Sequence, residues 1–311
     1  MRLITAGLRP VLVLTQPDRP SGRGRRTLQS AVKVCAREHS LTVFQPSRMR
    51  ADADVGVLIE AAPDILIVAA YGLILPQKVL DVPRYGCLNV HASLLPRWRG
   101  AAPVERAMLA GDPATGVSLM QMDAGLDSGP VYERRLTTIG AEETGAQLET
   151  RLAALGAEQL VELLPDLLAG SRTATPQDQL PPLPGLIAHD EPSYAPKLTR
   201  TDGELDWSAS AAVLARRIRA LSGRVSVEAK TGGARIQLLH AKSIDTLAAG
   251  AAVGEILSVR PTIDVQCAQG VLQILQLRFV DRGKGAVLSS AEAANGFGQF
   301  LHSGARFDVR S

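Results

Sequence analysis

Lysine is scarce: of the 34 basic residues in this chain, only six are lysine and 28 are arginine. That bias fits genome composition as readily as a binding device. Cysteine is scarcer still. Cys35, Cys87 and Cys267 stand far apart, with neither a disulfide framework nor metal-ligand spacing, so the chain is expected to work in a reducing cytoplasm without a metal. No apolar run has transmembrane length and nothing reads as a secretory leader, which excludes a membrane span. A phosphate-cradling glycine motif is also missing, which disfavours energy-coupled chemistry.

What is present is enough for two domains. The chain has 311 residues, 46% of them hydrophobic, so a sizeable core can form. The net charge of +3 is segregated. Residues 1–50 hold ten basic against two acidic side chains, residues 51–204 hold 11 against 21, and residues 205–311 hold 13 against eight. Two basic segments flanking an acidic body suggest a polyanion gripped at both ends.

Strand and helix patterns alternate to about residue 170, which predicts an α/β domain with a mainly parallel sheet. Short strands are expected at 11–15, 43–44, 65–70 and 117–122, and helices at 30–40, 54–61, 77–80 and 103–110. Residues 131–133 and 136–137 suggest an antiparallel pair element, and 144–168 a long helix broken near Pro165. Gln16 to Gln29 reads as a loop, because Pro17, Pro20, Gly22 and Gly24 oppose helix. It carries Arg19, Arg23, Arg25 and Arg26, and a deformable basic loop suits a phosphate backbone. Prolines 176, 181, 182 and 184 mark an extended linker. Beyond it the period changes to two, with glycine-rich turns, as in a small barrel. The expected organisation is a catalytic domain at 1–175, a linker at 176–204 and a barrel at 205–311. Arg216, Arg217, Arg219, Lys242, Arg278, Arg282 and Lys284 are candidates there for a second nucleic-acid contact.

The chain is organised around residues 87–103, CLNVHASLLPRWRGAAP. Asn89 and His91 lie two apart on a strand and so face one side. An amide can donate to an oxygen gaining charge, and an imidazole can move a proton. Some thirty residues on, Met120 to Pro130 places Asp123 and Asp127 in a glycine-punctuated loop after a strand. A carboxylate there can orient the imidazole or hold a water. Cys87, beside the same strand, is expected to pack.

The run Asn-Val-His…Ser-Leu-Leu-Pro followed by Leu-Asp-Ser-Gly resembles the 10-formyltetrahydrofolate-dependent formyltransferases. RWRGAAP at 97–103 and TQPDRPSGRG at 15–24 narrow the resemblance to the branch acting on methionyl initiator tRNA. It covers nearly the whole chain. It implies a Rossmann-like domain followed by an OB-like barrel, in a cytoplasmic monomer. The formyl group of 10-formyltetrahydrofolate would pass to the α-amine of the aminoacyl-tRNA, with Asn89, His91 and Asp127 catalytic and no metal. Ser93, Leu94, Leu95, Pro96, Leu73, Ile74 and Asp123 would line the folate side. Arg19, Arg23, Arg25, Arg26 and Lys284 would meet tRNA, with Arg23 foremost. Two alternatives are a formyltransferase for a small amine and a non-catalytic RNA-binding protein.

Two departures stand against the resemblance. Family members begin about twenty residues earlier, with one more strand and part of a helix, so Met1 is expected to lie inside a longer chain. The segment Ser222-Gly223-Arg224-Val225 replaces an Asn-Pro-Trp-Pro-like turn.

Overall fold

The computed structural model describes residues 1–21, 26–49, 51–71, 75–183, 191–246, 250–282 and 285–309; of residues 19–21 and 26–27 it describes the backbone alone. The chain divides into two compact units. Unit 1 comprises residues 1–101, 114–138 and 151–195, and unit 2 comprises 102–113, 139–150 and 196–311.

Unit 1 opens with α1 (Arg2–Thr5), β1 (Val13–Leu14), β2 (Arg19–Ser21), β3 (Arg26–Leu28), α2 (Ala31–Glu38), β4 (Val43–Phe44), α3 (Asp52–Ala61) and β5 (Leu66–Val68). Then come α4 (Gln77–Leu80), β6 (Cys87–His91) and β7 (Arg99–Gly100). In unit 2, α5 (Pro103–Ala110) follows, and the chain returns to unit 1 with β8 (Ala114–Gln121) and β9 (Val131–Thr138). The helix α6 (Gly145–Leu168) lies in unit 1 from Arg151 onward, and β10 (Tyr194–Ala195) closes that unit.

Among the described residues β1 pairs in parallel with β4 and β7 with β10, each pair by itself, while a four-stranded sheet starts with the parallel pair β5–β6 and continues antiparallel through β8 to β9. Residues 131–138 form a single strand against β8, not two short pieces. The apolar face of α6 covers the back of this sheet: Leu160, Leu163, Leu164 and Leu167 pack on Leu88 and Leu119. That packing carries α6 past Pro165 without a break. Only three helical residues follow the proline, and Ala169 N still donates to the Pro165 carbonyl at 3.0 Å. Residues 16–29 also differ from expectation. Arg19, Pro20 and Ser21 pair with Leu28, Thr27 and Arg26 as an antiparallel hairpin, a place where proline is tolerated because no second neighbour needs its missing N–H. The Ser30 cap is as expected, its hydroxyl accepting from Lys33 N at 3.1 Å. The buried face of α2 is Lys33 and Ala36, while Val32 is exposed.

Unit 2 contains α7 (Ala211–Leu221), then β11 (Glu228–Thr231), β12 (Ala234–Ile244), β13 (Ile256–Ser258), β14 (Ile263–Gln266), β15 (Val271–Phe279), β16 (Leu288–Ser289) and α8 (Ser290–Gly296). The antiparallel order is β11-β12-β15-β14-β13, with β16 on β15. Residues 305–308 tie the two ends of this sheet together. Phe307 N donates to Gly254 O, Ile256 N to Ala305 O, and Asp308 N to Lys230 O. The sheet is thereby curled into the expected barrel, whose interior stacks Trp207 on Phe307 at 4.9 Å and Phe279 on Phe297 at 4.0 Å.

The substituted turn has a clear role in this unit. Arg224 Nε lies 2.9 Å from Oε1 of Glu105, a buried carboxylate on α5, and so supplies the charge that burial demands.

Candidate active site

Residues 87, 89 and 91 share one face of β6. Cys87 packs there with Leu75, Val79 and Leu80, with Val68, Tyr71 and Met122 at the margin. Burial, then the charge of Asp81, pushes the Cys87 thiol up to about 12, which keeps it protonated and inert. One step along the strand, the face turns polar.

Asn89 Nδ2 donates to Asp127 Oδ1 at 3.1 Å. Asp127 Oδ2 accepts from Gly100 N at 2.9 Å and lies 3.7 Å from His91 Nδ1. His91 Nε2 is 2.9 Å from the Trp98 carbonyl. A carbonyl only accepts, so Nε2 carries the hydrogen, and Nδ1 is the nitrogen turned to the carboxylate. Asn89 and His91 are buried, and the Asp127 side chain is 17% exposed. The three residues expected to act together therefore form one linked cluster at the carboxyl end of β6, where ligands of α/β sheets bind.

Two backbone outliers flank it. Trp98 has φ +62° and Asp127 φ +49°, conformations that cost on the order of 1–3 kcal/mol each and persist only when surroundings enforce them. Here the enforcing groups are visible. Trp98 N donates to Ser193 Oγ at 3.0 Å, and the Trp98 carbonyl takes His91. Gly100, at φ +115°, lets β7 pair in parallel with β10, because a Cβ there would sit 2.8 Å from the Ala195 carbonyl oxygen.

The other expected residues divide. Ser93 and Leu95 have no exposed surface, and Leu94 is buried. Ser93 Oγ donates to Arg97 O at 2.6 Å, and Leu95 N to Ser118 Oγ at 3.0 Å, so this loop braces the site from beneath. Asp123 is exposed and closes its own turn, accepting from Gly125 N and Ser128 Oγ. Leu73, Ile74, Arg23, Arg25 and Lys284 lie outside the described residues, as do the side chains of Arg19 and Arg26. On α7, Arg216, Arg217 and Arg219 are only half-exposed, with Arg217 donating to Glu204 O at 2.8 Å. Lys242 lies 3.7 Å from Glu142, Arg278 donates to Gln237, and Arg282 stacks on Phe300.

Sequence reasoning missed the connector. The first residues of the expected linker, with Thr175 just before them, are docked on the site. Thr175 bridges Val131, and Gln177 is buried among Arg99, Asp127 and Gly129. Its only sequence signal is a glutamine beside a proline.

Comparison with known proteins shows the family. Residues 4–164 match the family described as Formyl transferase, and residues 197–298 match Formyl transferase, C-terminal domain. A curated methionyl-tRNA formyltransferase from Methylococcus capsulatus is 45% identical over 276 residues, covering 89% of this chain and 86% of that protein. The one from Halorhodospira halophila is 46% identical over 281 residues, with the same shares covered. Among solved structures, HypX from Aquifex aeolicus in complex with tetrahydrofolic acid superposes with a TM-score of 0.61. It is 20% identical, covering 84% of this chain and 43% of that one, a likeness of fold.

Proposed function

The chain belongs to the formyl transferase family, and from that premise we propose that it moves a formyl group from 10-formyltetrahydrofolate to the α-amine of methionyl initiator tRNA. The observation that carries the reading is the Asn89–Asp127–His91 cluster, found where the family match and the high identity to tRNA-formylating relatives coincide.

Both reactants are substrates, and the folate leaves without its formyl group. The new bond joins the amine nitrogen to the formyl carbon, and the bond from that carbon to N10 breaks. One proton passes from the amine to N10. Asn89 uses one amide hydrogen on Asp127; its second is the donor for the formyl oxygen as that oxygen gains charge. His91 Nδ1 is the base and acid for the travelling proton. Asp127 holds Asn89 and faces the imidazolium that forms. Arg19, Arg23, Arg25 and Arg26 are the tRNA grip, with Lys284 a second contact. The enzyme acts as a cytoplasmic monomer.

The test is formyl transfer from 10-formyltetrahydrofolate to methionyl initiator tRNA, with a free amino sugar as competitor acceptor. Transfer to the tRNA that disappears in His91→Ala, with tRNA affinity kept, is the expected result. Preference for the sugar would turn the reading to a small-amine enzyme, and tRNA binding without transfer to a non-catalytic RNA-binding protein.

A further inference from the structure

His91 and Asp127 owe their geometry to two different chain segments. His91 is fixed by the Trp98 carbonyl, on the segment that continues into Arg99. Asp127 sits on the turn that ends at Gly129. Gly100 N donates to Asp127 Oδ2 across the two segments at 2.9 Å, and one side chain from outside both adds a second tie. Gln177 Oε1 accepts from Arg99 Nε at 3.0 Å and from Arg99 Nη2 at 2.7 Å. Gln177 Nε2 donates to the carbonyls of Asp127 and Gly129, each at 2.8 Å. Both hydrogens and both lone pairs of one amide are therefore used, and the residue is 7% exposed.

We propose that Gln177 is a positioning residue for formyl transfer: its amide clamps the Asp127 turn to the Arg99 segment and so sets the spacing of Asp127 and His91. The inference rests on the reading of that pair as the reacting groups.

The chemistry of the clamp is specific to an amide. Glutamate could keep Arg99 but has no hydrogens for the two carbonyls, and methionine offers neither function. The clamp acts on a backbone held at φ +49° at Asp127; without it the Asp127 carboxylate keeps Asn89 and Gly100 N, but its carbonyl loses the bond that helps hold that conformation. Gly129 contributes by being a glycine, since a Cβ there would lie 2.0 Å from the Gln121 carbonyl oxygen. A side chain at this position would force the turn away from Gln121.

The test compares the unmutated chain with Gln177→Met, Gln177→Glu and His91→Ala. It measures kcat, the KM of each substrate, and thermal unfolding. A displaced reacting group costs rate and not binding, so Gln177→Met is expected to lose about 10–100-fold in kcat with both KM values within about threefold. Gln177→Glu is expected to lose as much, because it keeps the Arg99 bond and forfeits both donations. A kcat within twofold of the unmutated chain in either variant overturns the proposal. So does a loss that only tracks the folded fraction. If Gln177→Met fails to fold, Gln177→Glu decides alone. An unmutated chain with no transfer activity overturns the functional reading itself, before any variant is made.

Discussion

Two regions of unit 1 are built to opposite standards. Around His91, the strand residues of β6 and β8 are almost all buried, and each of the three side chains proposed to react is bonded to another or to the backbone beside it. Around the arginine hairpin, β1 and β4 have two half-buried residues each. The root of that hairpin hangs on few groups. Lys33 Nζ lies 2.6 Å from Asp18 Oδ2, Gln45 Nε2 donates to Asp18 Oδ1 and to Gln16 O, and Gln16 Nε2 reaches the Tyr71 carbonyl. The difference matches the demands of the two proposed tasks. Proton transfer fails when a group moves by about an ångström. Charge attraction to a phosphate chain tolerates much more.

The largest effect comes from breaking the rigid side. His91→Ala should lower kcat by about 10²–10⁴-fold, and Asp127→Asn should follow it, with tRNA affinity unchanged in a filter-binding measurement. Loss of tRNA affinity in His91→Ala would erase the contrast. The matching experiment on the other side is Lys33→Met. It should raise the KM for tRNA by roughly tenfold while leaving kcat and the folate KM in place, and trypsin should cut the hairpin faster.

How much of this was legible follows the same divide. The triad could be read because period two puts Asn89 and His91 on one face, and because the loop aspartate lies in a motif. Gln177 could not, since its partners are 48, 50 and 78 residues away and its prolines read as linker. The hairpin was hidden by Pro20, Gly22 and Gly24, which argue against helix but are compatible with an edge pair. The barrel's period was visible, but its closure by Ala305 to Asp308 was not, because such bridges are fixed by register and not by composition.

Unit 2 supplies a control. Arg224→Ala leaves the buried Glu105 carboxylate without its guanidinium and should cost about 3 kcal/mol of stability by denaturant unfolding. The kcat per folded molecule should stay unchanged. A pH scan sharpens the hairpin side. Hydrogen bonds from Lys33 and then Gln45 hold the Asp18 carboxyl below its usual range. A lowered carboxylate stabilises above its unfolded value and loses that as pH falls through the folded one. Amide exchange in β2–β3, corrected for intrinsic rate, should therefore stay flat from pH 7 to about 4 and rise below. The smallest effect belongs to the thiols. Cys87 and Cys267, pushed by burial to about 12 and about 11, should resist alkylation at pH 8. Only the half-buried Cys35 should react.

The chain's two tryptophans fall one to each unit. Trp207 is sealed in the barrel against Phe307, and its emission should be blue. Trp98 is half-exposed, under the Arg97 guanidinium at 4.5 Å, and its emission should be red-shifted and sensitive to substrate binding at His91, which bonds to the Trp98 carbonyl. Nature has thus labelled each half with its own fluorophore. With Trp207→Phe, substrate docking becomes an optical signal. With Trp98→Phe, the melting of the barrel can be followed by itself.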